Sequence, residues 1–82
     1  MRDYVNCNIR LNQVNKEYEV YLSNYHSLKV NIKMFFDMID ETVSMFYDIN
    51  EIVICDENDN FLDDNIILKD MNLSNGVIIN VY

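Results

Sequence analysis

The 82-residue sequence contains no proline, one glycine, one histidine and two cysteines, and each shortage removes a class of chemistry. A single glycine cannot build the glycine-rich loop that lets backbone amides close around a phosphate. Cys7 and Cys55 stand far apart and match no metal-binding or redox spacing, so both are expected as reduced, unpaired thiols. Basic side chains are scarce as well: six Lys and Arg face fourteen Asp and Glu, a formal net charge of −8. The imbalance is uneven, with residues 1–41 summing to −1 (five basic, six acidic) and residues 42–82 to −7 (one basic, eight acidic). Nucleic-acid backbones and anionic membrane surfaces are repelled by that second half. No purely hydrophobic run exceeds about four residues, against the ~20 that cross a bilayer. The first ten residues lack the apolar stretch of a secretory signal. A cytoplasmic location is expected, with any attachment to the inner face of the membrane made through protein partners.

What is present suffices for one folded unit. Half of the residues are hydrophobic and 24% are charged, a globular balance. At this size folding removes roughly 60–65% of the unfolded surface from water, enough for a core without disulfide or metal staples. No Gly/Ser linker or internal repeat divides the chain, so residues 1–82 are expected to form a single domain. Thirteen asparagines read as compositional bias.

Periodicity then places the elements. Over residues 4–12, Val5, Cys7, Ile9 and Leu11 alternate with Tyr4, Asn6, Asn8 and Arg10, the mark of a strand with one buried face. The polar stretch from Asn12 to Lys16 leads to a second alternation, with Tyr18, Val20 and Leu22 against Glu17, Glu19, Tyr21 and Ser23, and the two runs predict an antiparallel hairpin. From Leu28 the period becomes helical, because Leu28, Ile32, Phe35, Phe36 and Ile39 share one stripe that can cover the hairpin. Ser27 is placed as N-cap, without a capping box, since Val30 stands where Glu or Gln reaches back. A second ridge, Val30, Met34 and Met38, lies beside Lys33 and Asp37. The following loop is expected to bury part of it and leave the rest as ordinary surface, with a contact to a partner or to a second copy of the chain as the alternative.

Farther along, Val43, Met45, Phe46 and Ile49 are expected as packing anchors in residues 40–51. Residues 52–55 read as a short strand, ended by an acidic turn over residues 56–60. Leu62, Leu68, Met71 and Leu73 suggest a short extended piece and one helical turn. Gly76 is expected at positive φ before a last strand whose Val77, Ile79 and Val81 point inward. The order hairpin, helix, strand, short segments, strand predicts an α+β fold, a mixed four- to five-stranded sheet with one main helix across one face. In it the last strand lies beside and parallel to the first, and the helix supplies the crossover.

Catalytic material is thin. His26 reads as an exposed turn residue beside the helix cap, and Cys7, pointing inward, as inert. Asp56, Asn58 and Asn60 begin like a calcium loop, but Phe61 occupies the position that needs glycine and Ile67 the position of the bidentate Glu. A solvated acidic turn is the expectation, with no catalytic residue, cofactor or metal. The outward side of the sheet remains, carrying Tyr4, Asn6, Asn8, Arg10, Tyr21, Val53, Ile78, Asn80 and Tyr82. Of these, Tyr4, Arg10, Tyr21, Val53, Ile78 and Tyr82 form the candidate partner-binding set, since aromatic, aliphatic and Arg side chains are what protein interfaces favour.

The order of elements, Phe61-Leu62-Asp63-Asp64, Leu68-Lys69-Asp70-Met71-Asn72-Leu73 and Ser74 to Val81 resemble the C-terminal third of ubiquitin-like proteins, with Met71 where tyrosine is frequent. Leu22-Ser23-Asn24-Tyr25-His26-Ser27-Leu28-Lys29 and Val43-Ser44-Met45-Phe46 resemble the YukD/EsaB family, small ubiquitin-like proteins of type VII (ESX-like) secretion systems. The resemblance implies a ubiquitin-like β-grasp fold and a non-enzymatic accessory or regulatory role exercised by noncovalent binding. The partners it implies are the cytosolic domains of membrane components, an FtsK/SpoIIIE-type ATPase and a pseudokinase-like protein. A chain that stops at Tyr82 shows no diglycine tail, so conjugation is not expected. The alternative is a free regulator of secretion-system gene expression that acts through another protein.

Overall fold

Eight-residue strands with a strict period of two form the first hairpin. β1 (Tyr4–Leu11) and β2 (Lys16–Ser23) pair antiparallel from Tyr4 opposite Ser23 to Leu11 opposite Lys16. This is a computed structural model describing residues 2–82. Asn15, at φ 54°, makes the left-handed step of the hairpin turn, a conformation asparagine tolerates better than most residues. β1 buries Val5, Cys7, Ile9 and Leu11, as alternation requires.

α1 (Leu28–Met38) begins at the expected cap, where the Ser27 hydroxyl accepts the Val30 N–H at 3.1 Å. Two further amides of its first turn are satisfied from a distance: Leu28 N–H donates to Ile66 C=O at 3.1 Å and Lys29 N–H to Asp64 C=O at 2.7 Å. The loop before the 3₁₀ turn (Leu68–Met71) is thereby tied to the helix start. Leu28, Ile32 and Phe35 are buried against the sheet, and Phe36 and Ile39 pack at the margin. After α1 the chain makes only a single turn of helix, α2 (Glu41–Ser44), whose Asp40 cap accepts from Thr42 N–H at 2.9 Å.

β4 (Val77–Val81) lies parallel to β1, with Ile9 opposite Ile79, and β3 (Ile54–Cys55) pairs antiparallel with β4, giving the strand order β2-β1-β4-β3. Gly76 takes φ 84° at the entry to β4, as expected, and its N–H donates to Asn6 C=O at 2.7 Å. The sheet is therefore mixed and four-stranded, with one main helix across its inner face.

Three expectations need correction. Met45 and Phe46 are not packing anchors: both are largely exposed, and Tyr47 is buried beside Val43, with its ring stacked 5.4 Å from Phe36 and its hydroxyl accepting from Gln13 N–H at 3.0 Å. Met45 and Phe46, which follow the single turn of α2, are left to solvent, and the chain returns to the core at Tyr47. The strand expected over residues 52–55 is reduced to its last two, although Val53 and Tyr82 still exchange backbone hydrogen bonds of 3.0 and 2.9 Å. Finally, the Val30, Met34 and Met38 ridge is surface rather than partly covered by the following loop, with Met38 exposed to 82%.

Candidate protein-binding surface

The outer face of the sheet collects the six residues that the alternation assigned to it, but it does not join them into one patch. Cross-strand register sets Asn6 opposite Tyr21 and Tyr4 opposite Ser23, so Tyr4 and Tyr21 are diagonal neighbours on one face. They are 59% and 69% exposed, and with Arg2, Asp3 and Asn75 they line an open groove of about 660 Å³. Two phenol rings beside a guanidinium and amides offer flat apolar area with polar rims, the combination that anchors protein contacts.

Val53 and Tyr82 occupy the far end, paired across β3 and β4, with Tyr82 also lining a shallow pocket with Gln13, Phe46 and Ile52. Tyr82 is tethered there: its hydroxyl donates to Asp59 Oδ1 at 2.6 Å, and that bond to a carboxylate raises the phenol's pKa above its ordinary value.

Between the two ends the face is polar and largely self-satisfied. Arg10 donates from Nε to Glu17 Oε1 at 2.6 Å, an exposed pair that contributes little to stability but removes the central cation from free display. Asn80 is buried, accepting from Asn12 Nδ2 at 3.2 Å and donating to Asp56 C=O at 3.0 Å. Ile78 is half-buried in this stretch. The acidic turn explains the division. Asp56 Oδ1 accepts the N–H groups of Asn58 at 2.8 Å and Asn60 at 2.9 Å, which curls residues 56–60 into a turn that Asn80 and Tyr82 bond to the outer side of the β4 end. These bonds favour the charged carboxylate and hold Asp56 below its ordinary pKa, the Asn60 amide being the main cause. Asp56, the first residue of the calcium-like pattern, is thus committed to backbone amides.

The thiols sit on opposite sides of the sheet. Cys7 lies in the core, where burial pushes its pKa up to about 11. Cys55, on the outer side, is raised by burial and then by Asp59 and Asp56. His26 is exposed in the turn before α1. Among the described residues no three His, Cys, Asp or Glu side chains are grouped to hold a metal ion, and no helix is long and apolar enough to cross a membrane.

Sequence reasoning missed Asn31. It is buried in the helix stripe, where its amide accepts from Ser23 N–H at 2.8 Å and donates to Ser23 C=O at 2.9 Å, binding the end of β2 to α1. The available signal was a polar residue inside an otherwise apolar helical face.

No protein-family model matches the sequence, and no curated protein matches it. Solved structures do match in shape. The ubiquitin-like domain of yeast Ddi1 superposes with a TM-score of 0.69 at 15% identity, covering 99% of this chain and 90% of that one. A ubiquitin-like protein from Trypanosoma brucei gives 0.66 at 16% identity, with 100% and 96% covered. A chain of the ESX-5 inner membrane complex gives 0.75 at 9% identity, covering 99% of this chain and 21% of that one. The class defined by the sheet order, the crossover helix and these likenesses is the ubiquitin-like β-grasp fold.

Proposed function

We propose that this protein is a non-enzymatic ubiquitin-like accessory component of a type VII secretion system, acting by noncovalent binding to the cytosolic parts of its membrane machinery. One observation carries the reading: nearly the whole of this fold recurs as about a fifth of a chain in the ESX-5 inner membrane complex. That assembly holds a domain of this shape, and the fold of this chain is suited to occupy or compete for a similar place. The resemblance of residues 22–29 and 43–46 to the YukD/EsaB family supports the same reading. An FtsK/SpoIIIE-type ATPase and a pseudokinase-like protein are the proposed partners.

The Tyr4 and Tyr21 end of the outer face is the proposed contact. Its two exposed rings are free of the tether that holds Tyr82, and the net charge of −8 favours encounter with a basic cytosolic domain. The test compares affinity capture by the wild-type chain with capture by the Tyr4→Ala/Tyr21→Ala and Val53→Ala/Tyr82→Ala variants, all folded by circular dichroism. The reading expects the first variant to lose the membrane components and the second to keep them. Equal capture by the first variant overturns the assignment of the face. Capture of a transcription factor in place of membrane components overturns the secretion reading.

A further inference from the structure

Three segments meet at an open cavity of about 450 Å³: the start of β1, the residue after β2 and the 3₁₀ turn. Asn24 ties them together. Its N–H donates to Asp3 C=O at 2.9 Å, its C=O accepts Lys69 N–H at 3.2 Å, and its side-chain Nδ2 donates to Arg2 C=O at 2.8 Å. Only Oδ1 is left over: Asn24 is 7% exposed, and this oxygen is buried without a donor among the described residues. An acceptor shut away from water with no donor is costly, and one that belongs to a cavity wall marks a place for a donor. Charge singles out the same cavity. In a chain of −8, Arg2 and Lys69 both line it, and neither has an ion pair among the described residues, whereas Arg10 is taken by Glu17. Asp70 is the lining's carboxylate, and half-buried Leu73 supplies apolar surface.

We propose that this cavity binds the free C-terminus of a partner protein whose last side chain is apolar. The terminal carboxylate lies between Arg2 and Lys69 and draws both exposed side chains to itself. Their movement uncovers Asn24 Oδ1, which accepts the N–H of the partner's last residue, while that residue's side chain rests against Leu73. A carboxylate with an N–H close behind it thus answers both the unpaired cations and the orphaned acceptor. A phosphate monoester answers only the first: the dianion brings no donor to Asn24, and its second charge faces Asp70. Because the cavity is open, the rest of the partner chain leaves through its mouth.

The experiment is an NMR titration of the full chain with acetyl-glycyl-glycyl-leucine bearing a free carboxylate. It is set against the C-terminal amide of the same peptide and against the depsipeptide in which an ester oxygen replaces the leucine N–H. The expected result with the free acid is shifts of the Asn24 side-chain amide and of the Leu68 and Lys69 backbone amides. The amide lacks the charge, and the depsipeptide keeps the charge but has no N–H for Asn24, so each binds about tenfold more weakly. Lys69→Gln weakens the free acid by a similar factor, and Lys69 is exposed, so that variant folds. Tyr21→Ala leaves peptide binding unchanged, which separates this cavity from the tyrosine groove that Arg2 also borders. Equal binding of the acid and either analogue, an unaffected Lys69→Gln variant, tighter binding of a phosphoserine peptide amide, shifts centred on Tyr4 and Tyr21, or no binding at millimolar peptide each overturn the proposal.

Discussion

The amide of Asn31 holds both backbone groups of Ser23, accepting from its N–H at 2.8 Å and donating to its C=O at 2.9 Å. One side chain thus ends the β2 ladder and fixes where α1 starts to cover the sheet. Asn31→Ala leaves the Ser23 groups without their partner in a part-buried place, and we predict a loss of about 2 kcal/mol. For a domain this size that lowers Tm by ~8–15 °C. Thermal unfolding followed by circular dichroism measures it.

The segment after α1 supplies a contrast between adjacent aromatics. Tyr47 is buried and stacks on Phe36, whereas Phe46 is mostly exposed. Tyr47→Ala should cost about 3–5 kcal/mol, in the range of buried aromatic truncations, and Phe46→Ala less than about 1 kcal/mol. Urea denaturation of the two variants reads the difference; equal losses contradict the packing described.

Acid stability follows from Asp40 and Asp56. Both sit below their ordinary pKa of 3.8, Asp40 because it caps Thr42 and Asp56 because it accepts from Asn60 and Asn58. A depressed folded-state pKa means that the stabilisation is complete above the unfolded value and is lost as pH falls through the folded value. Stability should therefore decline as pH drops below about 4, and the Asp40→Ala/Asp56→Ala variant should show a shallower decline. Tyr82 behaves oppositely. Its pKa is raised by Asp59, so its contribution is present below the ordinary tyrosine value of 10.0 and disappears as pH rises through the folded value. Ultraviolet titration of wild type against Tyr82→Phe isolates that phenol.

The thiols give a chemical check. Cys7 is fully buried with its pKa pushed up to about 11, and Cys55 is buried and raised beside Asp59 and Asp56. Thiolate is the reacting form, so both should resist iodoacetamide at neutral pH and react promptly in denaturant. Mass spectrometry of the native protein counts the labels.

Strict alternation made β1 and β2 legible, Gly76 ahead of an apolar run made β4 legible, and the 3.6-residue stripe with Ser27 ahead of it made α1 legible. The parallel pairing of β1 with β4 followed from the single helical crossover. Residues 40–51 were less legible: a helix of four residues has no period to read, so Met45 and Phe46 were placed in a core that Tyr47 occupies. Asparagine was the second gap. Asn31 and Asn80 bond within the structure, and Asn15 and Asn72 take positive φ, roles that depend on tertiary neighbours or local turns and leave no periodic signature. The alternation also gave the direction of the outer residues along β1 and β2, but the division of that face depends on the Asp56 turn bonding to Asn80 and Tyr82, which spacing does not encode.

The account's central claim is that this domain works by being bound and released intact. Its most direct test is affinity capture of the tagged chain from detergent-solubilised membranes of cells that carry a type VII system, followed by denaturing electrophoresis and mass spectrometry. The account predicts that the FtsK/SpoIIIE-type ATPase or the pseudokinase-like component is recovered, and that after denaturation the chain runs free at its own mass of 9.8 kDa plus the tag. Recovery of the chain only as a covalent adduct, or with no secretion component beside it, contradicts the account.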